Sequence, residues 1–421
     1  MFTIITGAQF GDEGKGKIVD MMAAGYDIVA RFQGGDNAGH TVVAEGKTYK
    51  LHLVPSGVLF DVRLLIGPGT VMNPEILMKE LAMLAENGVE VTPAKLGIDA
   101  KTSIIMPYHI ALDTLRESKR AVKIGTTNRG IGFAYIDKVG RDEIQMADIA
   151  DKKRFMKRLD ELASQKENAI KEMGGDPKIV RSQVDEYIEI GKKLRPYITD
   201  VSREINLALK EGKKVLAEGA QGSHLDIIHG TQKFVTSSST VAGSACAGLG
   251  VGPTKVDNVI GVIKAYITRV GEGPLPTELK NEVGEHLRKI GGEFGTTTGR
   301  PRRCGWFDLP LAKKSIDLNG YTGFALTKLD CMGGLETLQV CTRYELDGST
   351  IDYPPELSDE LARCKPIYIE IAGWNEDISG AENLSKLPDN AREYIELLEK
   401  LMGINIEYVS VGPGRKQTFM K

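Results

Sequence analysis

The sequence predicts an open α/β fold with a large, mainly parallel central sheet flanked by helices. Three observations lead to it. Short apolar runs recur along the 421 residues, at 2–6, 26–32, 62–66, 214–217, 259–270, 324–326 and 406–411, and each reads as a buried strand. Each run leads into a polar or Gly-rich loop, among them GAQFGDEG, QGGDNAGHT, EGAQGSHLD, TKLD and GPGRK. Helical segments lie between the runs. This alternation is that of crossover connections, with functional loops gathered at the carboxyl ends of parallel strands.

The elements follow in order. Residues 15–24 continue the first loop as a helix. A hairpin turning at residues 45–47 follows the second strand, and a helix over 74–86 closes at Asn87-Gly88. Residues 152–173 and 178–211 are charged and helical in pattern. In the second stretch Val184, Tyr187, Ile188, Gly191, Leu194, Ile198, Val201, Ile205 and Ala208 form an amphipathic stripe, which Pro196 should kink or split. With no repeat or composition break, the reading is one α/β domain over residues 1–421 carrying a helical insertion at about 151–212.

Composition excludes several classes. A net charge of −3 gives no electrostatic case for nucleic acid or an anionic membrane. No apolar run approaches the roughly 20 residues of a membrane helix, and the N-terminus has no signal-peptide pattern. The five cysteines lack C-x-x-C spacing, so reduced thiols in a cytoplasmic protein are expected.

Five constellations carry chemistry. GDEGKGK, residues 11–17, fits the first seven positions of the phosphate-loop pattern, after a strand and before a helix, as in the phosphate-loop nucleotide hydrolases. The eighth position, which should hold a metal-binding hydroxyl, is Ile18, and an acid, Asp12, sits inside the loop. A carboxylate beside polyphosphate is repelled unless Mg²⁺ lies between them or the acid takes a proton from an acceptor. Lys15 and Lys17 supply cations for phosphate. TKLD, residues 327–330, offers an Asp two places after a Lys, suited to guanine N1–H and its amino group; adenine would leave that carboxylate unpaired. NAGH ends in His40, which reads as a general acid, a metal ligand or a structural hydrogen bonder. GTTTGRPRRCGW, residues 295–306, sets three arginines among threonines and glycines, either a basic surface loop or a clamp for a dicarboxylate. IGTTNRGIG and VTSSST suit a second phosphate or ordinary helix caps. Together they ask for a guanine triphosphate, a second phosphorylated ligand, a carboxylate and an acid–base pair, the inventory of a phosphoryl-activating ligase.

These motifs, with LHLVPSG, AYIDKVGR, DIIHGT, KAYITRVGEGPLPTE and SVGPGR in the same order, resemble the adenylosuccinate synthetase family from about residue 2 to the C-terminus. The resemblance is thinnest over 151–212. It implies a catalytic domain that joins IMP and L-aspartate with GTP and Mg²⁺, in AMP synthesis, through 6-phosphoryl-IMP. By matching, Asp12 is the base at IMP N1 and a ligand of one Mg²⁺ per subunit, with the Gly39 carbonyl as the other protein ligand. His40, Lys15 and Gln221 complete the catalytic set. The resemblance assigns to IMP these residues together with Glu13, Gly14, Asn37, Ala38, Thr127, Thr236 and Arg300, plus Arg141 from the other subunit of a homodimer. GTP takes the loop Gly11, Asp12, Glu13, Gly14, Lys15, Gly16 and Lys17, then Gly39, His40, Thr41 and Arg302. Its base takes Lys328, Leu329, Asp330, Ser410, Val411 and Gly412. Aspartate takes Thr296, Thr297, Thr298, Gly299, Arg300, Pro301 and Arg302. Two departures stand out: Asn128 replaces an expected glycine and Phe133 an expected proline.

The resemblance also accounts for the odd phosphate loop. Loss of the N1 proton delocalises charge onto the purine O6, so Asp12 activates an oxygen it need not touch, and as a metal ligand it replaces the hydroxyl that Ile18 lacks. Four other readings fit less well. Another nucleotide-dependent C–N ligase would not need TKLD with the NAGH and GTTTGR loops. A regulatory GTPase would keep TKLD but has no use for Asp12, and should have Ser or Thr at position 18. A nucleic-acid binder is opposed by the charge, and an inactive relative by the presence of Asp12, Lys15, His40, Gln221 and Arg300.

Overall fold

A computed structural model describes residues 1–295 and 299–421. Ten strands form one sheet: β1 (Phe2–Gly7), β2 (Ile28–Arg31), β3 (Arg63–Ile66), β4 (Leu96–Asp99), β5 (Ile198–Thr199), β6 (Val215–Glu218), β7 (Asn258–Lys264), β8 (Gly323–Thr327), β9 (Ile406–Ser410) and β10 (Thr418–Met420). Their spatial order is β10-β9-β8-β7-β1-β6-β2-β3-β4-β5. Every pairing is parallel except that of β9 with the edge strand β10. β1 lies inside the sheet, between β6 and β7, so chain order reverses beside it. A crevice at the carboxyl ends of the strands is expected there.

Why these runs become strands is plain from burial. β1, β2, β6 and β8 are buried along their whole lengths, as parallel strands covered on both faces must be. Phe2 and Ile4 enter one apolar core and Ile5 the other, so alternate side chains of β1 feed the two layers. The Lys15–Ala23 and Pro74–Glu86 helices form where their patterns place them, the second capped by Asn73 accepting from the N–H of Glu75 and Ile76. The hairpin pairs His40–Ala44 with Lys47–Leu51. Among the described residues no helix is long and apolar enough to cross a membrane.

The stretch expected as a helical insertion is more deeply integrated. Helices span Lys152–Glu172, Val184–Leu194 and Val201–Lys210. Pro196 does more than kink the stripe: the chain leaves the helix at Leu194 and residues 198–199 add β5 to the far edge of the main sheet. Val201, Ile205 and Ala208 then pack in the core with Phe2 and Val215, so the last helix belongs to the α/β body. Strand β5 is two residues long, and nothing in an apolar helical stripe separates Ile198 from its neighbours.

Gly191 lets the Val184–Leu194 helix approach residues 146–150. A Cβ there would lie 1.8 Å from the Ile149 carbonyl oxygen. Gly191→Ala is therefore expected to lower stability by about 1–3 kcal/mol through overpacking, despite alanine's better helix propensity. Thermal unfolding of the two proteins checks this, and an unchanged or higher Tm would contradict the packing.

Candidate active site

The loop after β1 turns through left-handed backbone at Gly11 (φ 83°), Asp12 (φ 58°) and Gly14 (φ 95°) before the helix begins at Lys15. Aspartate is one of the few residues that tolerates this conformation. Ile18 is fully buried among apolar side chains. The two acids of the loop diverge. The Glu13 carboxylate is buried and accepts from the N–H of Gln9 (3.1 Å) and Gly11 (2.8 Å) and from Lys15 Nζ (2.5 Å). Asp12 stays 30% exposed, with Oδ2 3.0 Å from Arg302 Nε.

Lys17 is anchored on a second loop. Its ammonium donates to Ser410 Oγ (2.6 Å), the Gly412 carbonyl (2.5 Å) and the Gln417 carbonyl (3.2 Å). Burial lowers its pKa to about 8, against an opposing pull from Asp330. Lys17 ties the loop's helix to the turn after β9.

A cleft of about 1240 Å³ opens at the carboxyl ends of the strands. Residues 11–17 and 37–41 line it together with Thr127, Gln221, Thr236, Arg300, Arg302, Lys328, Asp330, Ser410 and Gly412. Motifs scattered over the chain thus meet in one cavity.

His40 is held from behind. Its Nδ1 lies 2.5 Å from Glu218 Oε1, at the end of β6, and Ser56 donates to the same carboxylate from Oγ (2.6 Å) and N–H (2.8 Å). Burial would raise the Glu218 pKa, but its contacts with His40, Arg31 and Ser56 hold the carboxyl below the usual range. Burial also disfavours the imidazolium, with Glu218 opposing. The pair is therefore a neutral imidazole donating from Nδ1 to a carboxylate, which leaves Nε2 for chemistry. The Lys15–Ala23 helix reaches His40 because Gly16 has no side chain: a Cβ there would lie 2.7 Å from that of His40.

On the other wall Gln221 also adopts a left-handed backbone (φ 60°), and its Nε2 is buried without a partner among the described residues. Gln33 Nε2 donates to the Ala220 carbonyl (2.9 Å), and Asn37 Nδ2 to Thr236 Oγ1 (3.3 Å). The segment before the Ile131–Gly140 helix is held by two acids of the Pro107–Lys119 helix. Glu117 accepts from the Gly125 N–H (2.7 Å) and Asp113 from the Gly130 N–H (3.0 Å). Arg300 Nη2 donates to the Gly125 carbonyl (2.9 Å), joining the arginine loop to this segment. Asn128 has φ 54°, which explains why glycine suits the position and why asparagine is tolerated. Phe133 lies in the cleft wall with the Arg116 guanidinium 4.4 Å from its ring centre.

At the third corner Lys328 is left-handed (φ 62°) and donates to the Gly291 carbonyl (2.7 Å). The Asp330 Oδ1 is buried and has no partner among the described residues, and burial raises the pKa of this acid. A buried carboxylate oxygen without a donor suits a ligand that brings N–H groups.

A family profile described as adenylosuccinate synthetase matches residues 4–419. The chain belongs to the adenylosuccinate synthetase family. It is 66% identical to Adenylosuccinate synthetase 2 of Methanosarcina acetivorans over the whole of both chains. It is 50% identical to the Streptococcus sanguinis adenylosuccinate synthetase, over 99% of this chain and 97% of that one. The solved, fully ligated adenylosuccinate synthetase from Plasmodium falciparum superposes with a TM-score of 0.95 at 38% identity, covering 100% of this chain and 99% of that one. As a family member the chain is a GTP-dependent carbon–nitrogen ligase of purine biosynthesis, and the regulatory GTPase reading is not favoured.

Some expected site residues do not reach the cleft. Leu329 and Val411 are fully buried in the apolar core, so only their backbone is available to a ligand. Arg141, with φ 67°, caps the Ile131–Gly140 helix, is exposed and does not line the cleft. Gly299 and Pro301 are outside the lining too, and Thr296, Thr297 and Thr298 lie outside the described residues. Sequence reasoning missed Glu218 and Ser56 as the groups that hold His40. Glu218 stood in the EGAQG motif, but its partner is 178 residues away.

His224, behind the Gln221 loop, is buried against Phe10, and its pKa falls to about 3 through burial, then Lys314 and Arg269. The folded chain thus refuses a proton that the unfolded chain takes below its ordinary value of about 6.5. This histidine makes stability fall as pH drops from there toward 3. His224→Gln should remove up to about 1.4 kcal/mol of that fall per pH unit. Urea midpoints of both proteins at several pH values check this, and parallel curves would contradict it.

Proposed function

We propose that this chain joins IMP to L-aspartate with GTP in two steps. Asp12 takes the N1 proton of IMP, and O6, now carrying the delocalised charge, attacks the γ-phosphorus while GDP leaves. The aspartate amine then bonds to C6, phosphate departs with the former O6, and the nitrogen loses a proton. Adenylosuccinate, GDP and phosphate are the products. The observation that carries this reading is the convergence on one cleft of an exposed loop carboxylate, Asp12, a backed imidazole, His40, and an unpartnered buried carboxylate oxygen, Asp330.

Each role follows from chemistry. His40 Nε2 serves the transferring phosphoryl: an anion beside it would raise its proton affinity, and Glu218 already opposes the burial that lowers it. Lys15 adds positive charge, and Gln221 Nε2 is an uncommitted donor for the O6 centre. Asn37, Thr127 and Thr236 hold the IMP phosphate side, and Arg300 and Arg302 the aspartate carboxylates. Asp330 pairs with guanine N–H groups, with Lys328 and the turn at Ser410 and Gly412 around the base.

Among the described residues no cluster of three or more His, Cys, Asp and Glu side chains could hold a metal. Mg²⁺ does not need one. A single carboxylate with phosphate oxygens and water suits it, and Asp12 is the partly exposed acid inside the phosphate loop. Asp12 and the Gly39 carbonyl would hold one Mg²⁺ per subunit, which when bound neutralises charge on the phosphates. We also propose a cytoplasmic homodimer in which Arg141 enters the partner's site, in keeping with its exposure and its absence from the cleft wall.

With IMP, L-aspartate, Mg²⁺ and GTP, chromatography should show adenylosuccinate and GDP together, and little product with ATP. Asp330→Asn should narrow the GTP-over-ATP ratio of kcat/KM by about tenfold or more. GDP without adenylosuccinate would overturn the reaction, and an unchanged ratio would place guanine recognition elsewhere. Arg141→Leu and Asp12→Asn chains should each be inactive and recover part of the activity when mixed. No recovery in verified heterodimers would refute the shared site.

A further inference from the structure

Behind Arg302 lies a buried run of alternating charge that the reaction as proposed does not use. Lys264, the last residue of β7, is fully buried. Its ammonium donates to Glu293 Oε1 (2.9 Å), Glu293 Oε2 (3.1 Å) and Thr268 Oγ1 (2.6 Å). Glu293, also fully buried, accepts from the Tyr266 hydroxyl at 2.5 Å. Its other oxygen accepts from Arg302 Nη1 at 2.5 Å. Arg302 in turn sets Nε 3.0 Å from Asp12. Two cations and two anions alternate from the rigid sheet to the cleft.

The backbone follows the same plan. The Arg302 N–H donates to the Glu293 carbonyl (2.9 Å), and residues 294 and 301 form an isolated bridge. Glu293 and Arg302 are thus the two posts at the neck of the arginine loop, joined by main chain and side chain. Arg302 is not saturated. Its Nε lies near Asp12 without hydrogen-bond alignment, and among the described residues its Nη2 has no protein acceptor. A guanidinium held by one nitrogen leaves its other N–H groups for a carboxylate.

We propose that Glu293, anchored by Lys264 and Tyr266, is a positioning residue that aims Arg302 at the substrate dicarboxylate and keeps it from closing two-pronged on Asp12. The proposal rests on the reading of Arg302 as an aspartate-binding group. The physical reason is competition. Glu293 and Asp12 both attract one guanidinium, and the fork of Arg302 is suited to bidentate pairing. While Glu293 holds Nη1, Asp12 receives a single nitrogen. Without that hold, Arg302 turns onto Asp12 and leaves the aspartate subsite.

The test is steady-state kinetics on Glu293→Gln, Arg302→Leu and the double variant, with aspartate and IMP varied separately and melting temperatures recorded. Glu293→Gln should raise the aspartate KM about 10- to 100-fold, the range that follows from weakening a hydrogen bond between charged groups, and leave the IMP KM within about twofold. The double variant should be no worse for aspartate than Arg302→Leu, because Glu293 acts through that arginine. A shift that is equal for both substrates, or additive in the double variant, means Glu293 is merely structural and overturns the proposal while Arg302 keeps its role. An unchanged aspartate KM in Arg302→Leu removes Arg302 from the subsite, and the proposal with it. Glu293→Asp, which keeps the charge facing Lys264 but withdraws the carboxylate from Arg302, serves if the amide variant does not fold. The same direction of change supports the proposal, and wild-type aspartate KM with native melting overturns it.

Discussion

Parallel strands impose one condition on everything else in this molecule: their carboxyl ends all face the same edge. Nine strands of the main sheet obey it, and only the short β10 runs the other way. Loops separated by hundreds of residues therefore open into a single cleft, and each inherits a fixed position from the strand beneath it. The phosphate loop follows β1, Glu218 ends β6, Lys264 ends β7 and Lys328 follows β8. No loop has to find the site independently, because sheet register has already placed it.

Concentrating so many charges in a partly buried cleft carries a desolvation penalty, and the structure meets it by pairing them in depth. Glu13 is matched by Lys15 and by two backbone N–H groups. Glu218 takes three donors from His40 and Ser56. Asp36 takes Arg129, and Asp20 takes Arg415 through two nitrogens. Among the described residues the buried polar atoms of the cleft that lack a hydrogen-bond partner include Gln221 Nε2, Arg302 Nε and one oxygen of Asp330, while Asp12 stays partly exposed. These residues are among those that the proposed chemistry uses.

Much of this was legible in the sequence, for identifiable reasons. Apolar runs that end in glycine clusters announce buried parallel strands, and phosphate-loop spacing is a local pattern that a local reading can find. Asn128 looked like a departure, but its left-handed backbone shows that the position selects conformation, which asparagine can supply. Where the reading fell short, the information was not local. The bond between Lys17 and Ser410 spans 393 residues, so a lysine inside a phosphate loop gives no local sign that its ammonium also holds another loop. Glu293 and Lys264 look like ordinary charged residues until the fold brings them together 29 positions apart. The strand at residues 198–199 was hidden because apolar periodicity does not show where a helix stops after proline.

The tie from Lys17 to Ser410, Gly412 and Gln417 also bears on how the chain comes into being. Its phosphate loop occupies residues 11–17, yet the groups that hold the last lysine of that loop lie at residues 410–417. β1 likewise gains its sheet neighbours only when residues 215–218 and 258–264 exist. Such distant pairing makes folding slow, since loop closure over long separations precedes any stabilising contact. On the ribosome the phosphate loop is therefore made long before the residues that complete its surroundings. A chain cut off before Ser410 lacks the partners that secure Lys17, so the setting of the pocket is complete only once residues 410–417 exist.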